Sequence, residues 1–117
     1  MQGIDLSDKL ERYLDLTTAQ MKLTAGNMAN VDTPGYKTQG FDFAAEFSKA
    51  FGMGRTPTND IRAAEVDGLV SRPDGNNVSM DREAMLLAKT QLQFRMGVAL
   101  LRGENESMMK AIHLEDK

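Results

Sequence analysis

Residues 25–38 read AGNMANVDTPGYKT. Proline disfavours helical geometry in the residue before it, so Thr33 should be extended, and a helix arriving from the N-terminal side must stop by Asp32. Pro34 and Gly35 fit the two central positions of a type II turn. Proline presets φ at the first position, and glycine supplies the positive φ needed at the second. Asp32 and Thr33 carry oxygens that can bond nearby backbone groups. Asn27 and Asn30 lie on one side of the last helical turns. Their amides can satisfy the free carbonyls of the helix end or bridge to a neighbouring chain, and Tyr36 adds an aromatic ring with a polar tip. A helix stop requires only Pro34 and Gly35. It does not require two asparagines, which are poor helix formers. The stretch is specific, yet it contains no reactive group.

Upstream of this stop, the sequence predicts a helix over about residues 6–31. Leu10, Leu14, Thr17, Met21, Thr24, Met28 and Val31 are spaced alternately four and three apart, a heptad seam. Two of its positions are threonine, which weakens it. Leu6, Tyr13, Leu16 and Leu23 add apolar surface beside it. Asp5 or Ser7 can cap the start, and Asp8 and Glu11 sit in the first turns, where the helix dipole favours acids. A second helix is predicted over about residues 79–113. Its seam is Met80, Ala84, Leu87, Gln91, Phe94, Val98, Leu101, Asn105, Met108 and Ile112. Ser79 can serve as its N-cap, with Asp81 and Glu83 in the first turn. Gln91 and Asn105 interrupt the seam, as register-setting polar residues do in coiled coils. Gly103 marks a possible kink or break.

The segment between the helices, residues 38–78, has a different character. Phe43, Phe47 and Phe51 are four apart, the spacing of a short amphipathic helix. Gly52, Gly54, Pro57, Gly68, Pro73 and Gly75 then punctuate the chain. Residues 64–66 and 69–71 suggest a small hairpin around Asp67-Gly68. The fold class expected is therefore mainly α. Two long terminal helices form a coiled-coil-like pair, and the middle is short and irregular or partly disordered. The organisation reads as helix and turn over 1–37, a variable middle over 38–78, and a C-terminal helix over 79–117. Two long seams exceed what one intramolecular pair needs, so the chain should find partner chains or stay partly unfolded until it does.

Composition excludes several functions. The 117 residues carry a net charge of −3, and neither half has the basic excess of a nucleic-acid binder. The chain has no cysteine, which removes disulfides, thiolate metal sites and a cysteine nucleophile. The nine methionines suit pliable helix–helix packing, or ordinary core filling. The start, MQGIDLSDKLERYL, lacks the apolar run of a cleaved signal, and no stretch is apolar enough to span a membrane. His113 stands alone near the C-terminus, short of the ligands a metal site needs. Asp42 and Glu46, four apart, read as an exposed charged face rather than a cation site. Asp67 and Asp74 do not match a calcium loop. Serines lack a base, and no phosphate-binding loop or nucleophile elbow is present. No catalytic residue, cofactor or metal is expected, and the default is a protein that is not an enzyme.

The motif NMANVDTPGYKT resembles the N-terminal signature of the flagellar rod, hook and hook–filament junction proteins, whose pattern is close to ANNIANxxTPGY. Within this rod/hook axial family, LTAGNMANVDTPGYKTQGFDF is most similar to the proximal-rod branch, in which a phenylalanine segment follows the turn. NNVSMDREAMLLAKTQLQF and MMKAI resemble the ending of the same branch. The resemblance covers about residues 10–47 and 76–112. Thr90 stands where the family commonly has asparagine, Phe94 where it has tyrosine, and Gly26 where it has serine or asparagine.

The resemblance implies a structural subunit of the basal-body rod, transmitting torque from the membrane ring to the distal rod and hook. It implies export through the flagellar type III apparatus without a cleaved signal, and a place on the periplasmic side. Its implied partners are other rod proteins, the adaptor protein FliE, the export gate and the membrane ring, with self-association in a helical array. Asn27, Asn30, Asp32, Thr33, Pro34, Gly35 and Tyr36 become an assembly motif, with Asn27, Asn30 and Tyr36 expected to meet neighbouring subunits. Leu10, Leu14, Met21, Met28, Val31, Leu87, Phe94, Val98, Leu101, Met108 and Ile112 become helix-packing residues. The alternative is a soluble helical adaptor or chaperone of flagellar export or assembly.

Overall fold

The computed structural model describes residues 6–49 and 61–115. Two long helices dominate it: α1, Leu6–Ala29, and α3, Met80–Glu115. Between them lie β1, Gln39–Gly40, a short helix α2, Phe43–Lys49, and β2, Ala64–Glu65. At 1.5 Å per residue, α1 is about 36 Å long and α3 about 54 Å. The molecule is correspondingly drawn out, 70 × 29 × 17 Å. α1 stops where the proline requires it to stop. α3 starts on its expected cap, with the Arg82 amide donating to Ser79 Oγ at 3.2 Å, and runs unbroken through Gly97 and Gly103.

The helices run antiparallel. Asn27 near the end of α1 bonds Glu83 near the start of α3. A Cβ placed on Gly97 would stand 2.7 Å from Leu14 Cδ2 and 3.2 Å from Tyr13 Cδ2. This register sets Leu6 opposite Asn105, and α3 continues past the described end of α1. Ile112 lies on that projecting, exposed stretch and not in the seam. The side chain of Met108 and the structures of Asp5 and Phe51 lie outside the described residues.

The inner faces are unusually polar. On α1, Leu10, Arg12, Leu16, Thr17, Thr24 and Asn27 are buried and Leu14, Met21 and Met28 are half-buried, as is Val31 in the turn that follows. Among the described side chains of α3 the buried positions are Glu83, Thr90 and Gly97, seven residues apart. One row of the expected α3 seam, Leu87, Phe94 and Leu101, flanks them and is half-buried. The other row is displaced by one residue. Ala84, Gln91 and Asn105 are exposed and Val98 is half-buried, while Met80, at the start of the first row, is exposed. The cause lies in the residues that took the centre. Glu83 is bonded by Asn27, the Thr90 hydroxyl is satisfied by Leu86 O at 2.6 Å, and Gly97 lets the helices approach closely. Hydrophobic spacing alone cannot register any of these.

α2 packs on α1 through aromatic edges. Tyr13 meets Phe43 at 5.5 Å and Phe47 at 5.8 Å between ring centroids, a favourable T-shaped geometry. Asp42 caps α2, accepting from the Ala45 amide at 3.1 Å. Asp42 is exposed, as expected, whereas Glu46 is buried and pairs with the exposed Lys49 at 3.1 Å, so the two do not form one exposed charged face. The hairpin expected between 64–66 and 69–71 is replaced by a longer-range pairing. β2 pairs antiparallel with β1, Gln39 opposite Glu65 and Gly40 opposite Ala64. Close approach explains the choice of partner: a Cβ on Gly40 would fall 2.9 Å from Val66 Cγ2.

Candidate functional site

The turn that ends α1 folds as its residues dictate. Gly35 has φ +76°, and the Tyr36 amide donates to Thr33 O at 3.2 Å, as a type II turn requires. Pro34 and Gly35 are exposed, as are Asp32 and Thr33.

Asn27 anchors the turn to the rest of the molecule. Its side chain is completely buried, and all four hydrogen-bonding positions of its amide are used. Nδ2 donates to Gln39 O at 2.9 Å and to Glu83 Oε1 at 3.0 Å. Oδ1 accepts from the Tyr36 hydroxyl at 3.0 Å and from the Gln39 amide at 2.9 Å. A primary amide has two donors and two lone pairs, so this one is saturated. It ties α1, the turn, β1 and the start of α3 at one point. Glu83 is also fully buried, and its second oxygen accepts from Arg82 at 2.7 Å. Burying a carboxylate is tolerable only with such partners.

Asn30 has the other role open to it. Its Nδ2 donates at 2.8 Å to the Gly26 carbonyl, which also accepts the Asn30 backbone amide, and its Oδ1 accepts from the Thr33 hydroxyl at 3.0 Å. The two asparagines are therefore not equivalent. The capacity of Asn27 and the hydroxyl bond of Tyr36 are spent inside the chain, where the sequence suggested neighbouring subunits.

A second strand of chain straps the turn. Residues 72–78, read from sequence as part of a soft middle, pack against 31–38. Asn76 is fully buried, donating to Asn30 O at 2.9 Å and Thr33 O at 2.8 Å and accepting from the Val78 amide at 2.8 Å. Asn77 Oδ1 accepts from the Thr38 amide at 2.7 Å and the Thr38 hydroxyl at 2.8 Å, and the Asn77 amide donates to Tyr36 O. Arg72 donates to Val31 O and Val78 O, and Lys37 Nζ to Gly75 O. Gly75, with φ +87°, stands against Gly35, whose amide donates to Asp74 O at 2.9 Å. A Cβ on Gly75 would lie 3.3 Å from Gly35 Cα. Two glycine turns thus meet backbone to backbone.

Sequence reading missed Glu83, Thr38, Arg72, Asn76 and Asn77. Glu83 reads from sequence only as a first-turn acid. The Asn76-Asn77 pair carried a usable signal, being two adjacent amides one residue short of a helix cap, but its partners lie about forty residues away and no local rule finds them.

This geometry positions backbone. An open groove of about 660 Å³ between β2, α2 and α3 is lined by groups such as Phe41, Phe43, Val66, Leu86 and Lys89, with no histidine or serine among them. His113 is exposed. Among the described residues no cluster of acids or histidine is placed to hold a metal, and no helix is long and apolar enough to cross a membrane.

No protein-family model matches the chain. It is similar to curated proteins named flagellar basal body rod protein FlgB. That of Salmonella typhimurium is 32% identical over 122 residues, spanning 87% of this chain and 88% of the relative. That of Escherichia coli K12 is 34% identical with the same spans. That of Cereibacter sphaeroides is 34% identical over 111 residues, spanning 85% of this chain and 87% of the relative.

Proposed function

The chain belongs to the FlgB family of flagellar basal body rod proteins, and we propose from that premise that its locked turn fixes the shape of a subunit whose work is packing. It is a structural subunit of the basal-body rod. The observation that carries the mechanism is the saturated amide of Asn27, which joins the turn, both long helices and β1 into one unit. Such a subunit holds α1 and α3 at a set register and passes lateral force from one helix pair to the next. Repetition of a head-to-tail contact that does not close generates a helical array, and torque is then carried by many such contacts.

In this reading the subunit sits in the proximal rod, on the periplasmic side. Its neighbours are other rod proteins, FliE, the export gate and the membrane ring. It reaches them unfolded through the flagellar type III apparatus, without a cleaved signal. A polar, modestly apolar seam suits that route, because it leaves the isolated chain marginal and easy to unfold. Packing, not catalysis, accounts for a specific motif that has no reactive group. The adaptor reading is not favoured, since the relatives are named as rod proteins.

Deletion in a motile bacterium, with imaging of basal bodies, tests this. Loss of the chain should stop assembly near the membrane ring, and loss of an adaptor would leave some complete rods. The Pro34→Ala, Gly35→Ala double variant should reproduce much of the arrest. Normal motility in that variant would remove the role given to the turn.

A further inference from the structure

The face of α3 turned away from α1 is itself an apolar stripe. Met85, Leu92, Met96 and Leu100 are 68%, 59%, 55% and 59% exposed. At 100° per residue, Met85, Leu92 and Met96 share one line along the helix, roughly 140° round from Glu83, Thr90 and Gly97. The helix centres its intramolecular contact on Glu83, Thr90 and Gly97, flanked by the half-buried Leu87, Phe94 and Leu101, and turns a second set of long apolar side chains outward. A monomer gains nothing from such an arrangement, and a row of pliable methionine and leucine side chains suits packing against another helix.

Charge identifies what covers the stripe. Between Glu83 and Glu104 the sequence has no acid, and Lys89, Arg95 and Arg102 are its charged residues. All three are exposed. Lys89 borders the stripe on one side, and Arg95 and Arg102 border it on the other. The outer face of α1 is complementary. Asp8, Glu11, Asp15, Lys22, Ala25 and Ala29 are exposed along one line, opposite the buried Leu10, Thr17 and Thr24. Its N-terminal half is acidic, and its C-terminal half ends in small residues that let a second helix come close. Glu11 and Asp15 supply the charge, and Ala25 and Ala29 supply the room.

We propose that the outer stripe of α3 in one subunit docks on the outer face of α1 in a second copy of this chain, with Arg95 and Arg102 against Glu11 and Asp15. The contact is heterologous, since each copy offers two different faces. A docked pair leaves an unused α1 face on one subunit and an unused α3 face on the other, so the contact propagates. The proposal rests on the reading of the chain as an assembling subunit and names the surfaces that assemble. Rim charges of this kind set orientation and partner choice and are weakened by salt.

The chain has no cysteine, so introduced thiols report without background. A Lys22→Cys chain and a differently tagged Leu92→Cys chain are mixed and treated with a long-armed bismaleimide. Both positions are exposed, and circular dichroism checks that each variant keeps its helicity. The mixed product should exceed either homotypic product several-fold and fall as salt rises. Arg95→Glu with Arg102→Glu in the Leu92→Cys chain should suppress it. Glu11→Lys with Asp15→Lys in the Lys22→Cys chain should restore it. A dominant Leu92–Leu92 product, or a mixed product indifferent to charge reversal, overturns the proposal.

The same pair, cross-linked in isolated basal bodies, separates this inference from the function. If the chain is present but Leu92→Cys links only to a different protein, the second copy is not the occupant and the rod role stands. If the mixed product forms in solution but the chain is absent from basal bodies, the docking stands and the rod role falls.

Discussion

Replacing Asn27 by alanine removes four hydrogen bonds at one point. The groups left behind are Gln39 N, Gln39 O, the Tyr36 hydroxyl and Glu83 Oε1. The bonds to Gln39 and Tyr36 are partly buried, so water can replace some of each, and a net loss near 1 kcal/mol apiece is appropriate. The bond to Glu83 is buried and charge-assisted, which raises its share to about 2 kcal/mol. Partial relaxation reduces the sum, and a cost of about 4 kcal/mol is expected. Against the 5–15 kcal/mol of a typical folded domain, that is enough to leave the turn and α3 undocked. Asn30→Ala, three residues along, loses a bond to its own helix and one to an exposed hydroxyl, worth about 1 kcal/mol. The assay is urea unfolding followed by helical circular dichroism, with trimethylamine oxide present to raise the baseline of a marginal chain. Equal costs for the two variants, or a cost below about 1 kcal/mol for Asn27→Ala, would refute the anchoring role.

Other substitutions test the remaining contacts in the same assay. Gly103→Ala should stabilise by about 0.5–1 kcal/mol, since a Cβ there meets nothing within 4 Å. Gly97→Ala should lose that gain against Leu14 and Tyr13, and Gly97→Leu should separate the helices and lower helicity outright. Gly75→Ala should destabilise by about 2 kcal/mol, more than Gly35→Ala at about 1 kcal/mol, because both have positive φ but only Gly75 would press on another backbone. A double-mutant cycle of Asn27→Ala with Glu83→Ala should give a coupling of about 1–2 kcal/mol, and a coupling near zero would mean their bond does not matter. Arg72→Ala should release the strap, seen as earlier proteolysis within residues 72–78.

The helices and the turn were legible because local rules specify them. Proline and glycine determine where α1 ends, and Ser79 determines where α3 begins. The pairing of two long helices follows from their seams, but the register does not. Apolar spacing placed Ala84, Gln91 and Val98 inward, whereas Glu83, Thr90 and Gly97 hold the centre. Those three fit because each has its polar need met or has no side chain, a property that depends on the partner and not on periodicity. The motif was legible as a specific feature, and both options for its asparagines were open. That Asn30 serves its own helix while Asn27 ties four segments together depends on Gln39 and Glu83, the latter fifty-six residues away. The strap was the least legible part. Its glycine and proline read as punctuation, and only the fold brings Asn76 and Asn77 against the turn.

A density map of isolated basal bodies at side-chain resolution tests the central claim most directly. The account predicts this chain in the rod as an antiparallel α1–α3 pair, with Asn27 bonded to Gln39 and Glu83 of its own subunit and the 72–78 strap closed over the Pro34-Gly35 turn. A rod lacking the chain, or a rod in which the turn is unlatched and Asn27 bonds a neighbouring subunit, would contradict it.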